Sequence, residues 1–384
     1  MRISKRIASA SPLATTAMHG RVDQMKLQGE EVIDFSIAIS HFAAPEAVRR
    51  DVSDMALHDV LPYTAVGGAH GLRARLVEKL KMENEIDALP EEVIVTNGAK
   101  QALYEAMYAM TDPGDTVIVF RPYWPAYLAT ARLLGLEVVL VDLPEVLTAG
   151  LLDTLPPARL LILNNPHNPT GKVFARDELD LLEGWLARTG CGAIVDESYE
   201  KLLYSQPHHS LSSAGQWRKL GIVTIFSASQ SYAMMGWRCG FAVGPADVVS
   251  AMETLQGPIT AAPSALTQAA CEAAFFSGEP HHLVADYQGR RDLVMDMLSP
   301  VKWMKVRIPD SGPYIWVDVT ALGCDTVAFS ERLLAEKRVA IMPGDALGMP
   351  GFIRMGFISD DIATLRKGMA AIVAFGNEIN QDSR

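Results

Sequence analysis

Four short segments carry ligand-binding or reactive residue types directly after an apolar, β-branched run. Residues 193–195 lead into Asp196-Glu197-Ser198-Tyr199. An aspartate at the end of a buried strand is costly unless a cation faces it, and a cationic ring nitrogen on a ligand would serve. Residues 223–226 lead into Ser227-Ala228-Ser229-Gln230, followed shortly by Gly236-Trp237-Arg238. Hydroxyls and a guanidinium converging on one loop could hold a phosphate dianion. Residues 93–96 lead into Asn97-Gly98-Ala99-Lys100 and then a helical pattern, which turns free backbone N–H groups and the positive end of a helix toward an anion. Residues 160–163 lead into Asn164-Asn165-Pro166-His167-Asn168-Pro169-Thr170-Gly171, where two prolines restrict the backbone and leave Asn168 as a ligand donor. Taken singly, each segment also fits a plain turn or a core contact.

The order of elements explains why such segments could meet. Strand-like runs at 93–96, 116–120, 138–141, 160–163, 193–195, 223–226 and 239–243 alternate in several places with helical patterns, among them 99–110, 126–134 and 177–188. This alternation predicts an α/β fold, a large domain whose mainly parallel seven-stranded sheet is covered by helices. In such sheets ligands lie beyond the carboxyl ends of the strands, where all four segments fall. After about residue 285 the order changes to a long helical stretch, strands near 314–319, 339–342 and 352–357, and a last helix from about 361. The expected organisation is therefore an N-terminal segment, 1–45, packing through the extended run 32–37 with a small α+β domain, 286–384, and a large domain at 46–285.

Together the motifs resemble the class I/II aminotransferase-like enzymes of the aspartate aminotransferase fold, which use pyridoxal 5′-phosphate. The resemblance runs from Ser4-Lys5-Arg6 through Asp34-Phe35, Tyr63-Thr64, Asn97-Gly98-Ala99-Lys100, Pro122-Tyr123-Trp124, Asn168-Pro169-Thr170-Gly171, Asp196-Glu197-Ser198-Tyr199 and Gly236-Trp237-Arg238 to Pro343-Gly344 and Arg354. It implies that Asp196 pairs with the pyridinium nitrogen, keeping the ring an electron sink. It further implies that Asn168 and Tyr199 bond the ring's 3′-oxygen and that Trp124 stacks on the ring. Gly98, Ala99, Lys100, Ser227, Ser229 and Arg238, with Tyr63 from a neighbouring subunit of a homodimer, would hold the phosphate. Arg354 would grip the substrate α-carboxylate through two parallel hydrogen bonds.

The most informative departure is Gln230, which stands where the family pattern has its Schiff-base lysine, directly after Ser-x-Ser. An amide is neither nucleophilic nor basic, so it can neither attach the cofactor nor shuttle a proton. The resemblance then implies an enzyme that forms an external aldimine with an L-α-amino acid and transaminates it. The chain as written would bind cofactor without covalent attachment and be largely inactive. Retention of the other contact residues favours a replaced lysine over a diverged protein. A second departure is Ala38-Ile39-Ser40-His41-Phe42, where the family shows a Gly-x-Pro-Asp-Phe-like segment; Ala38 and His41 become candidate substrate contacts. Gly312-Pro313-Tyr314 and Met355-Gly356 also differ. These changes leave open a specialised enzyme for elimination, replacement, cyclisation or oxidation of an amino acid, or a non-catalytic cofactor-binding protein.

Composition narrows the alternatives. A net charge of −11 gives no electrostatic reason to expect nucleic acid. Cys191, Cys239, Cys271 and Cys324 form no CxxC pattern and are expected as reduced core thiols. No GxGxxG follows a strand, and HExxH and P-loop patterns are absent, so neither a dinucleotide nor a metal site is expected. The uncharged stretches 220–237 and 254–271 contain polar residues throughout, and residues 1–16 have no continuous apolar segment. The expectation is a cytoplasmic protein with no membrane contact.

Overall fold

Alternating side chains along β-branched strands set the architecture. In β2 (Val93–Thr96), Val93 and Val95 face one core while Ile94 faces the other, and Leu160/Ile162 and Leu161/Leu163 of β5 (Leu160–Asn164) divide the same way. A sheet with both faces buried in this fashion must be covered by helices on both sides. The computed structural model describes residues 3–4, 7, 12–276, 278, 280–359 and 361–382. Lys5 and Arg6 of the N-terminal motif lie outside the described residues.

The remaining large-sheet strands are β3 (Thr116–Arg121), β4 (Glu137–Asp142), β6 (Gly192–Asp196), β7 (Ile222–Ser227) and β8 (Gly240–Val243). Their order is β2-β8-β7-β6-β5-β3-β4. Only β8 runs against its neighbours, so the sheet is α/β and mainly parallel. The helices Ala99–Met110, Pro125–Leu134 and Arg176–Thr189 follow the expected patterns to within a residue or so.

A second core gathers Phe35, Ile315, Ile353, Met355, Leu365 and Phe375. It is bounded by an antiparallel sheet of β9 (Lys305–Val306), β10 (Tyr314–Asp318), β12 (Met342–Pro343) and β13 (Phe352–Gly356), and by the helix Ile362–Asp382. Near the N-terminus β1 (Ile33–Asp34) pairs in parallel with β11 (Val339–Ala340). The run 339–342 is thus two strands, not one: β11 joins β1 and β12 joins β13, with buried Ile341 at the changeover. The helix Ala14–Leu27 left no trace in the pattern because Val22 alone of its residues is buried, so it lacks the apolar stripe that marks an amphipathic helix. Cys191, Cys239 and Cys271 are buried and unbridged, but Cys324 is only half-buried. Among the described residues no helix is long and apolar enough to cross a membrane.

A buried ionic network anchors the turn after β6. Lys79, fully buried on the helix His70–Asn84, donates to Glu200 Oε1 at 2.5 Å and to Asn84 Oδ1 at 2.7 Å, and Asn84 Nδ2 donates to Glu200 Oε2 at 2.6 Å. Burial pushes the Glu200 carboxyl up, and the charges of Lys79 and Lys201 outweigh that and hold it below its ordinary value. Glu197, Glu200 and His208 bring ligand atoms within 4.8 Å of one another, as a cation site would, yet the Lys79 ammonium already stands on Glu200. Removing it strands a buried carboxylate. Lys79→Met is expected to destabilise the fold by roughly 3–5 kcal/mol, read as a lower urea midpoint.

Candidate active site

The strand ends converge because β8 is reversed. Gly240 at its start lies opposite Thr96 at the end of β2 and opposite Ser227 at the end of β7. Arg238, two residues before β8, therefore arrives where β2 and β7 finish. Its Nη2 donates to Asn97 O at 3.2 Å and its Nη1 to Met235 O at 2.8 Å and Ser229 Oγ at 3.4 Å. Glycine is required twice here. A Cβ on Gly98, whose φ is +79°, would lie 2.3 Å from Arg238 Nη2, and one on Gly240 would lie 2.8 Å from the Ala99 nitrogen. Gly98 caps the helix Ala99–Met110, whose leading N–H groups and positive end thus stand beside the guanidinium. Ser227 Oγ accepts from the Ser229 N–H at 3.1 Å.

A cavity of about 600 Å³ opens beside this cluster. Asp196, at the end of β6, is its one lining carboxylate among the described residues. Oδ2 accepts from the Tyr127 hydroxyl at 2.8 Å; Oδ1 accepts from the Ser198 hydroxyl at 2.6 Å and the Ser198 N–H at 3.1 Å. Burial pushes this carboxyl above its ordinary value despite those donors, as expected of a buried acid with no cation against it. Trp124 lines the cavity and meets Tyr127 edge-on, centroids 5.5 Å apart.

Arg354 of β13 also lines the cavity and is buried, its guanidinium 4.0 Å from the Tyr314 ring centroid. Nη2 donates to Ser36 O at 2.7 Å and Nη1 to Asn168 Oδ1 at 3.2 Å, while Asn168 Nδ2 donates to the Tyr199 hydroxyl at 3.2 Å. Burial, foremost, holds the Tyr199 phenol well above its ordinary value, against the pull of Arg354. Arg354 Nε and Gln230 Oε1 are buried without a hydrogen-bond partner among the described residues.

Most of the residues read from the sequence thus share one cavity: Ala38, Ala99, Lys100, Trp124, Asn168, Asp196, Tyr199, Ser227, Ser229, Gln230, Arg238 and Arg354. Two do not. His41 stands apart from its lining, with Nδ1 donating to Ile358 O at 2.9 Å and Nε2 accepting from Arg290 at 3.2 Å, so both ring nitrogens are spent on structure. Tyr63 is almost wholly exposed and does not reach the cavity of its own chain. The structure adds Thr15, Thr16 and His19, Tyr127, Asn164, Ser198 and Tyr314. Asn164 Oδ1 accepts from the Asn168 N–H and its Nδ2 donates to Asp196 O; a polar residue closing a buried strand was the available signal. Tyr127 had none, since a tyrosine inside a buried helix reads as core.

Comparison with known proteins gives the family. Residues 30–372 match the family described as Aminotransferase class I and II. The chain belongs to that family. It is 32% identical to the aspartate/prephenate aminotransferase of Thermus thermophilus over 381 residues, 96% of this chain and 97% of that one. It is likewise 32% identical to the aspartate aminotransferase of Geobacillus stearothermophilus over 376 residues, 93% and 94% of the two chains. The structure of aspartate aminotransferase from Thermus thermophilus with maleate superposes with a TM-score of 0.91 at 32% identity, covering 98% of this chain and all of that one. The aspartate aminotransferase of Rhizobium meliloti gives 0.91 at 28% identity, covering 98% and 99%.

The cofactor of this aminotransferase-family chain is accordingly pyridoxal 5′-phosphate, and the residues present fit it. Asp196 is a buried acid lacking a cation, and the Gly98 cradle with Arg238 suits a dianion.

The loop that carries Asn168 generates a pH prediction. His167 is fully buried, and burial followed by the Lys172 charge pushes its pKa from 6.5 down to about 3; burial takes His208 to about 4. Both lie below the unfolded value, so the unfolded chain binds protons that the folded one does not. Stability is full above about pH 6.5 and falls toward pH 4 by about 1.4 kcal/mol per unit for each histidine. His167→Gln is expected to flatten that slope, as measured by urea unfolding across the interval.

Proposed function

We propose that this chain is an aminotransferase-type enzyme for an L-α-amino acid, in a form whose turnover is blocked by Gln230 at the position of the family's lysine. The observation that carries the reading is one cavity lined by a buried acid, an arginine in a glycine-made anion cradle and a second, buried arginine. When bound, the cofactor's pyridinium ring withdraws the electrons left on the substrate α-carbon as that carbon loses a proton. Asp196 holds the proton on the ring nitrogen, and that cation in turn lowers the pKa that burial has raised. Tyr199 and Asn168 orient the ring through its oxygen, and Trp124 covers its face and excludes water. Gly98, the backbone groups of Ala99 and Lys100, and the side chains of Ser227, Ser229 and Arg238 hold the phosphate, completed by the partner subunit's Tyr63 in a homodimer. Arg354 takes the α-carboxylate, replacing its bonds to protein carbonyl and amide oxygens with stronger charge-assisted ones. The division into a cofactor-holding unit, 46–285, and a smaller unit from 1–45 and 286–384 belongs to the same reading.

Lys100 points to the substrate class. It lines the cavity 5.4 Å from the Trp124 ring centroid and forms no ion pair among the described residues. Burial, then the Arg238 charge, lowers its pKa, and an anion placed beside it would reverse that shift. A second carboxylate on the substrate would serve, in keeping with relatives named for aspartate and one solved with maleate. Glutamine lacks the nucleophile and base that turnover requires, so the chain as written is largely inactive.

Gln230→Lys, loaded with pyridoxal 5′-phosphate and dialysed, is expected to keep a visible absorption band that the unaltered chain loses, and aspartate is expected to change it. A band retained but altered only by another amino acid would replace the substrate class; no retained band would favour a non-catalytic cofactor-binding protein. In the same background, Lys100→Ala is expected to weaken the response to aspartate by about tenfold while sparing that to an apolar amino acid, read from concentration dependence of the band.

A further inference from the structure

Residues 56–63 are exposed throughout, and they include Leu57, Val60 and, at 98% exposure, Tyr63. Apolar side chains gathered on one surface segment mark a place where another molecule sits. The chain changes character at Thr64. Residues 64–69 form neither helix nor strand, yet two buried glutamines on neighbouring helices hold them.

Gln268, on the helix Ala265–Phe275, spans this loop from end to end. Its Oε1 accepts from the Ala69 N–H at 2.7 Å, and its Nε2 donates to Thr64 Oγ1 and to Pro263 O, both at 2.8 Å. A backbone N–H only donates and a backbone carbonyl only accepts, so Ala69 and Pro263 permit one orientation of the amide. That orientation leaves an N–H for Thr64. Gln256, on the helix Ala246–Thr260, pins the middle of the loop, donating to Val66 O at 2.5 Å and to Val95 O at 3.2 Å. Gly67 O accepts from the Val95 N–H at 2.9 Å, and a Cβ on Gly68, whose φ is +106°, would lie 2.6 Å from Val95 Cγ2. Gln256 also accepts from Gln101 Nε2 at 3.2 Å, and Gln101 Oε1 accepts from the N–H of Asn97, whose carbonyl meets Arg238.

From this arrangement we infer that Gln268 is a positioning residue for cofactor binding in the partner subunit: by clamping Thr64 it fixes where the adjoining Tyr63 is presented. The inference rests on the reading that Tyr63 completes the partner subunit's phosphate site in a homodimer. A loop free to move would lose conformational freedom whenever its tyrosine met a phosphate, and that loss weakens binding. With Thr64 held, little beyond the two side-chain torsions of the tyrosine remains to be set. A phenol donating to a phosphate oxygen makes a charge-assisted bond, which depends on where the donor stands. Because Gln256 touches both the loop and Gln101, the tyrosine given to the partner is also held in register with the cradle that this chain keeps.

Calorimetric titration of the full chain with pyridoxal 5′-phosphate, with sedimentation to follow dimer content, tests this as a double-mutant cycle. Tyr63→Phe removes the phenol hydroxyl, Gln268→Leu removes the clamp, and Thr64→Val removes the hydroxyl that the clamp holds while keeping a β-branched side chain. Each is expected to weaken binding about three- to tenfold with dimer content unchanged. In the Tyr63→Phe background, neither of the other two is expected to weaken it further. Should Gln268→Leu fail to fold, Thr64→Val decides alone. Losses that add to that of Tyr63→Phe, or full affinity in Thr64→Val where Tyr63→Phe binds weakly, overturn the inference and leave the partner reading standing. Full affinity in Tyr63→Phe, or a chain that binds the ligand as a monomer, overturns that reading and the inference with it; no binding by the unaltered chain removes the cavity assignment on which both stand.

Discussion

A carboxyl group buried at the end of a central strand is the constraint around which this fold is arranged. Asp196 is 5% exposed, and taking an ionised carboxylate that far from water is costly unless donors and a cation compensate. Two hydroxyls and an N–H supply the donors. The supports recruit much of the structure: Tyr127 comes from the helix after β3, and Asn164 from β5 bonds the Asp196 carbonyl. The turn after Asp196 is tied through Glu200 to Lys79 on a distant helix. No fixed cation completes the set, which is why the carboxyl stays above its ordinary range.

The reversal of β8 solves the opposite problem, gathering positive charge for an anion. In a wholly parallel sheet the residues before a strand lie at the far end from the site. Running β8 backwards between β2 and β7 puts Arg238 among the strand ends instead. Close approach then demands glycine at 98 and 240, since a Cβ at either would collide with the guanidinium or the helix N-terminus. Sheet order, two missing side chains and one arginine form a single device.

These devices were unevenly legible in the sequence. The seven strands of the large sheet, their α/β alternation and the location of the polar segments followed from β-branched runs ending in Asp196, Asn97, Asn164 and Ser227, because a buried strand has a composition no loop shares. Strand order and the reversal of β8 left no local mark, so the reason Arg238 belongs to the site was invisible until the register was seen. Tyr127 and Tyr314 are aromatic residues in apolar surroundings, and only the direction of the side chain separates a cavity wall from a core. His41 shows the converse. Its residue type suggested chemistry, but the backbone after Ile39 carries it to Ile358 and Arg290, where both nitrogens find structural partners.

Gln230 stands apart because its surroundings are intact. Neighbouring Ser229 still meets Arg238, the acid across the cavity is still buried, and the Arg354–Asn168–Tyr199 chain is complete. A cavity lined by Lys100, Arg238 and Arg354 against one carboxylate remains suited to a ligand with a phosphate at one end and a carboxylate at the other. On the proposed reading, an amide in place of the family's lysine removes one amine from that lining and leaves Lys100, Arg238 and Arg354 in it. Loss of turnover on that reading need not carry loss of binding, because the groups suited to a ligand's anions are untouched.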